Sequence, residues 1–165
     1  NIAIFDAAYQ WLSIIMIITA ATTTVALPIL SSASNKSELK KVFRYNVLIN
    51  LGISATISGI FILFSKSIMS LYGVAYVSGG NILIIMSVTS VFFTTATLYN
   101  RYMISINKPH TLLVCSIIGA VVLVIAYHLL GYSIYSLAVA HLCYYVISVV
   151  YYIIVKNYFK NESFS

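Results

Sequence analysis

From Thr111 to Val155 the chain reads TLLVCSIIGAVVLVIAYHLLGYSIYSLAVAHLCYYVISVVYYIIV, without one Lys, Arg, Asp or Glu. A helix needs about 20 predominantly apolar residues to cross the hydrocarbon core of a bilayer. This stretch is too long for one crossing and long enough for two. Gly131-Tyr132-Ser133 supplies a turn signal between them, so spans are expected over 111–130 and 135–155.

The same reading extends upstream. Arg101 and the INKPH segment close a span over 81–100, with Pro109 marking the stop. Residues 66–80, KSIMSLYGVAYVSGG, read as a loop ending in Gly79 and Gly80. The uncharged residues 45–65 form another span. No charge falls between Asp6 and Lys36, which places the first span at 7–30, with Pro28 near its end where a helix tolerates a kink. The expected fold class is all-α, a polytopic membrane bundle of about five transmembrane helices within a single transmembrane domain over 1–165. Because the chain opens on Asn1 and enters an apolar run behind one acid, with no basic signal-peptide region, the N-terminus reads as a cut through a longer protein.

Composition supports the membrane reading independently. Hydrophobic residues make up 61% of the chain and charged residues 7%, against about 25% charged in soluble domains. A soluble fold needs charge to cover its surface, and lipid does not. The mean hydropathy of +1.00 agrees. The net charge of +6 is not clustered on one element as nucleic-acid binding requires, so no nucleic-acid partner is expected. The basic residues sit at the edges of apolar runs instead. Lys36, Lys40, Lys41 and Arg44 follow the first span, Arg101 and Lys108 the third, and Lys156 and Lys160 the fifth. The loops on the other side hold Lys66 alone, so eight of the nine basic residues share one side. Cytoplasmic loops carry the excess of Lys and Arg. The N-terminus is therefore expected outside and the C-terminus in the cytoplasm.

The residues offer no catalytic constellation, which argues against an enzyme. Glu38 and Glu162 lie in a loop and a tail, and His110, His128 and His141 share no metal-ligand spacing. No Gly-rich phosphate loop opens a helix, and no metal or cofactor is expected. Cys115 and Cys143 fall inside apolar runs and read as small buried hydrophobes.

What remains is polarity within the membrane, which is costly and often functional. Asn46 and Asn50 lie four apart, on one helix face. They either bind substrate in a cavity or hydrogen-bond a neighbouring helix, and the same two readings stand for His141. Gln10 is one turn from Asp6, and Thr19, Thr22, Thr23 and Thr24 line part of the first span, most simply as helix–helix hydrogen-bonding groups. Arg101 either faces a cavity or anchors the helix by snorkelling. The substrate-cavity candidates are thus Asn46, Asn50, Arg101, His141, Asp6 and Gln10. Ala55 and Gly59 are small residues at a spacing that lets a helix pack closely on a neighbour. Tyr144, Tyr145, Tyr151 and Tyr152 suggest an interfacial aromatic belt, or, alternatively, sugar-stacking rings.

IAIFDAAYQW, followed about fifteen residues later by VALPILSSAS and a basic loop, resembles the second-lobe segment of bacterial polysaccharide flippases. These belong to the multidrug, oligosaccharidyl-lipid and polysaccharide exporter superfamily. SKSIMSLYGVAYVSGGNILIIMSV is similar to that family's external loop, and ISINKPH to its short cytoplasmic loop before the last two helices. The resemblance covers nearly the whole chain and rests on the order and spacing of loose motifs. It implies most of the second lobe of a twelve-helix transporter, helices eight to twelve, with both termini of the full protein cytoplasmic. The implied function is translocation of an undecaprenyl-diphosphate-linked oligosaccharide, such as an O-antigen or capsule repeat unit, across the bacterial inner membrane by alternating access. The implied partners are that lipid-linked oligosaccharide, membrane lipids and other polysaccharide-assembly membrane proteins.

Three other functions compete. A multidrug or small-cation exporter of the same superfamily would be expected to carry acids in the membrane, and beyond Asp6 the spans have none. A membrane-embedded polysaccharide polymerase or acyltransferase would need paired catalytic groups or a large external loop, and neither is present. A non-catalytic interaction subunit is compatible with the sequence.

Overall fold

The structure, a computed structural model, describes residues 2–31 and 36–162; the side chains of 23–31, 36, 39 and 158–162 lie outside that description, as does the kink expected at Pro28. All its regular elements are helices: α1 (Ile2–Ser31), α2 (Lys36–Leu63), the short α3 (Ser65–Ser70), a 3-10 helix over Val74–Gly79, α4 (Gly80–Ser105), α5 (His110–Leu129) and α6 (Ile134–Glu162). Five helical segments are long and apolar enough to cross a membrane: Ile2–Thr22, Lys40–Leu63, Val74–Ser105, His110–Leu129 and Ile134–Asn157. The chain is a multi-pass helical membrane protein.

The helices run past the charge-free windows at most ends. The basic segment after the first span is the opening of α2, with Glu38 in its first turn, where an acid complements the helix dipole. The last helix likewise continues through Lys156. Charge marks where hydrocarbon stops, whereas Lys, Arg and Glu are good helix formers that carry a helix onward into the headgroups.

The turn chemistry is specific at two places. Asn107 takes φ 60° and closes α4: its N–H donates to Ile104 O at 3.0 Å, and the Lys108 N–H reaches Met103 O at 2.9 Å. This is a Schellman pair with Asn in the left-handed position. Pro109 then leads into α5 at φ −66°. Gly131, at φ 89°, ends α5 in the same way, and the Tyr132 N–H returns to Tyr127 O.

Residues 66–80 are not an open loop. α3 and the 3-10 helix fold back onto the end of the bundle, bringing Met69 into a core with Phe5, Ala8, Leu12, Ile82 and Leu83. Gly79 and Gly80 have helical φ values. Gly79 is needed for space: a Cβ there would collide with Ile4 and Met69.

α4 is the central element and packs against α1, α2 and α6, while α5 lies outside and packs chiefly on α6. At Gly119 of α5, a Cβ would stand 2.5 Å from Tyr144 Cε2 of α6, so these two helices approach through a glycine. A second core gathers Phe43, Leu98, Tyr102, Met103, Cys115 and Tyr152 at the opposite end from α3. Ala55 and Gly59 do not play the expected packing role within the described residues. Ala55 is exposed, and a Cβ on Gly59 or Gly52 would meet nothing within 4 Å.

Candidate functional site

Between the two apolar cores the bundle interior is polar. Thr19 of α1 and Thr94 of α4 share a hydrogen bond of 3.1 Å between their hydroxyls. Ser58 of α2 and Ser90 of α4 do the same at 2.7 Å. Ser54, Ser87, Thr89, Ser90 and Thr94 are all fully buried. Several also bond the carbonyl one turn back, as with Ser87 to Leu83 O at 2.8 Å and Thr89 to Ile85 O at 2.8 Å, which satisfies a hydroxyl without a partner helix.

Asn50 belongs to this layer. It is 4% exposed. Its amide donates to Asn46 O at 3.0 Å and to Asn46 Oδ1 at 2.8 Å, and its Oδ1 accepts from the Thr22 hydroxyl of α1. Asn50 thus makes an interhelical hydrogen bond to α1, while the half-buried Asn46 is bonded to Asn50 within its own helix. Thr23 and Thr24 lie outside the described side chains.

The other candidates occupy different places. Asp6, Gln10 and Ser13 stand at i, i+4 and i+7 on α1; Asp6 and Gln10 are exposed and Ser13 is half-buried. Tyr72, in the turn after α3, donates its hydroxyl to Gln10 Oε1 at 3.0 Å. His141 of α6 is half-buried, with ring centroids 6.0 Å from Phe5 and 6.4 Å from Tyr9 of α1. Its Nδ1 lies 3.0 Å from Leu137 O. A carbonyl only accepts, so Nδ1 is the donor in this contact. Arg101 is half-buried near the far end of α4. The six candidates therefore divide among the α3 end (Asp6, Gln10, His141), the buried layer (Asn46, Asn50) and the opposite end (Arg101).

The α3-end face is the one with unusual chemistry for a membrane protein. Gln10 is exposed on α1 and hydrogen-bonded to Tyr72 of the turn after α3, and an amide turned to hydrocarbon is strongly disfavoured. The face must meet water or protein.

Tyr144, Tyr145 and Tyr152 of α6 pack against neighbouring helices. Tyr152 is buried and donates to Asn100 Oδ1 of α4. Tyr145 packs edge-on against Phe93 at 5.3 Å. Tyr144 covers Gly119. Lys156 Nζ sits over the rings of Phe43, Tyr99 and Tyr102 at 4.9, 5.4 and 5.7 Å, tying α6 to α2 and α4. The α4 polar residues were missed in the sequence, although Ser87, Ser90 and Thr94 repeat at i, i+3 and i+7, the spacing of one helix face.

Comparison with known protein families, with characterised proteins and with solved structures finds no match to this chain.

Proposed function

We propose that these helices belong to the second lobe of a flippase that moves an undecaprenyl-diphosphate-linked oligosaccharide across the bacterial inner membrane, with the α3 end periplasmic and the Lys40 end cytoplasmic. The observation that carries the reading is the polar face of α1, where Asp6, Gln10 and Ser13 align and Tyr72 is hydrogen-bonded to Gln10. Carboxylate, amide and hydroxyl groups beside tyrosine rings suit sugar hydroxyls, which need donors, acceptors and an apolar stacking surface. Such a face would line the water-filled path between two lobes, where transporter sites form. The lipid tail would remain in the bilayer while the sugar passes through. The resemblance of the loop sequences and the eight-to-one basic bias support the same assignment.

The test uses the full-length protein in its own host. Deleting the gene should remove surface polysaccharide and leave lipid-linked repeat units on the cytoplasmic leaflet. Complementation with Gln10→Leu should restore several-fold less surface polysaccharide than wild type at equal protein abundance. Unchanged surface polysaccharide after deletion would overturn the proposal. Drug sensitivity in its place would move the protein to the exporter branch of the superfamily.

A further inference from the structure

The first turns of α2 carry a feature that the transport reading does not use. Lys40, Lys41, Arg44, Tyr45 and Leu48 line, among the described residues, a groove of about 520 Å³. All five are exposed. Lys40 and Arg44 are four apart and Lys41 and Arg44 three apart, so the three cations are neighbours on the helix surface. Like charges so placed repel one another, and Glu38 is the one acid in the segment. The cluster is thus poised for an external anion.

Position along the helix tells which anion. The uncharged stretch of α2 begins at Tyr45, and Lys and Arg flanking such a stretch sit at the membrane–water interface, so the cations are expected at the level of the phosphates. One turn deeper come Tyr45 and Leu48, each 58% exposed. Deeper still on the same stripe lie Gly52 and Gly59, where a Cβ would find no atom within 4 Å. Cation, amphipathic ring, aliphatic side chain and open furrow follow one another in the order phosphate, glycerol ester and acyl chain. A soluble polyanion would gain nothing from the apolar part of this sequence, and a neutral lipid nothing from the cations.

We propose that this groove binds one anionic phospholipid, with Arg44 and the two lysines on the headgroup phosphate and Tyr45 and Leu48 against the glycerol and upper acyl chain. Arg holds phosphate with a two-pronged hydrogen-bond pattern and Lys with a point charge. The proposal needs only that α2 crosses a membrane, so it stands or falls separately from the flippase reading.

The experiment measures the fraction of spin-labelled lipid immobilised by the full-length protein in phosphatidylcholine vesicles, with spin-labelled phosphatidylglycerol compared against spin-labelled phosphatidylcholine. Wild type should prefer phosphatidylglycerol, and each charge removed should lower the preference about fivefold. The triple variant Lys40→Gln/Lys41→Gln/Arg44→Gln should show almost none, and the charge-conserving Lys40→Arg/Lys41→Arg should retain it. If the triple variant does not fold, Lys40→Gln and Arg44→Gln singly carry the test. Equal immobilisation of the two lipids by wild type overturns the proposal, and so does a preference untouched by the substitutions. Displacement of the lipid by millimolar inorganic phosphate also overturns it, because the site would then be one for soluble anions.

Discussion

Replacing Asn50 by Leu separates a packing amide from a substrate-binding one. The substitution removes two hydrogen bonds to Asn46, at 3.0 and 2.8 Å, and the one accepted from Thr22. It does not orphan Thr22, whose hydroxyl also lies 2.9 Å from Thr19 O and 3.2 Å from Ile18 O on its own helix. The Asn46 carbonyl is a helix acceptor that loses only a second partner. The net loss is therefore one interhelical hydrogen bond, about 1 kcal/mol in a membrane, together with the amide–amide bond to Asn46 Oδ1, partly offset by the apolar side chain that replaces Asn50. Unfolding of the full-length protein in bicelles should show this loss. A double-mutant cycle with Thr22→Val should be non-additive by a similar amount, since the two residues share the bond. Transport per folded molecule should stay near wild type. Transport abolished at unchanged stability, or a strictly additive cycle, would refute the packing assignment and return Asn50 to the substrate path.

Two further outcomes follow from the helix contacts and the charge pattern. Gly119→Ala places a methyl about 1 Å inside the usual carbon–carbon separation from Tyr144, so it should cost about 1–3 kcal/mol of stability. Combination with Tyr144→Ala should relieve most of that clash term; an equal cost in both backgrounds would mean that α5 and α6 do not meet there. In the full-length protein, an alkaline-phosphatase fusion after Gly80 should be active and one after Lys41 inactive, and the reverse pattern would invert the proposed orientation.

The spans were legible because the charge gaps are long and unambiguous, and Gly131 and the Asn107-Lys108-Pro109 segment marked real chain reversals. The helix ends were not, since a hydropathy window sees the hydrocarbon and α2 and α6 continue beyond it. The fold of residues 66–80 was hidden as well. Its turn-rich composition signals reversal, but nothing local announces that Met69 will be buried against α1 and α4. For the candidate site, individual polar residues stood out while their partners did not. Asn46 and Asn50 could be paired by spacing, but Thr22 lies 28 positions from Asn50, and no periodicity reports a contact between helices.

A physical reason underlies this asymmetry. In water, a helix shows its buried side by being apolar there. In lipid both surroundings are apolar, so α5 can be hydrophobic all round and reveal nothing about which side packs. Only size and polarity then carry information, and each can mislead alone. Ala55 and Gly59 have the right size for a helix contact, yet Ala55 is exposed and a Cβ on Gly59 would meet nothing within 4 Å, while Gly119 makes the close approach. Polarity is the stronger guide once exposure is known. α5 presents Leu113, Val114, Ile117, Val121, Val124 and Ile125 outward, a surface that lipid can cover at no polar cost. α1 presents Asp6 and Gln10 outward over its first turns, a surface that lipid cannot cover without leaving polar groups unsatisfied. The bundle therefore has one side suited to hydrocarbon and another that requires water or further protein.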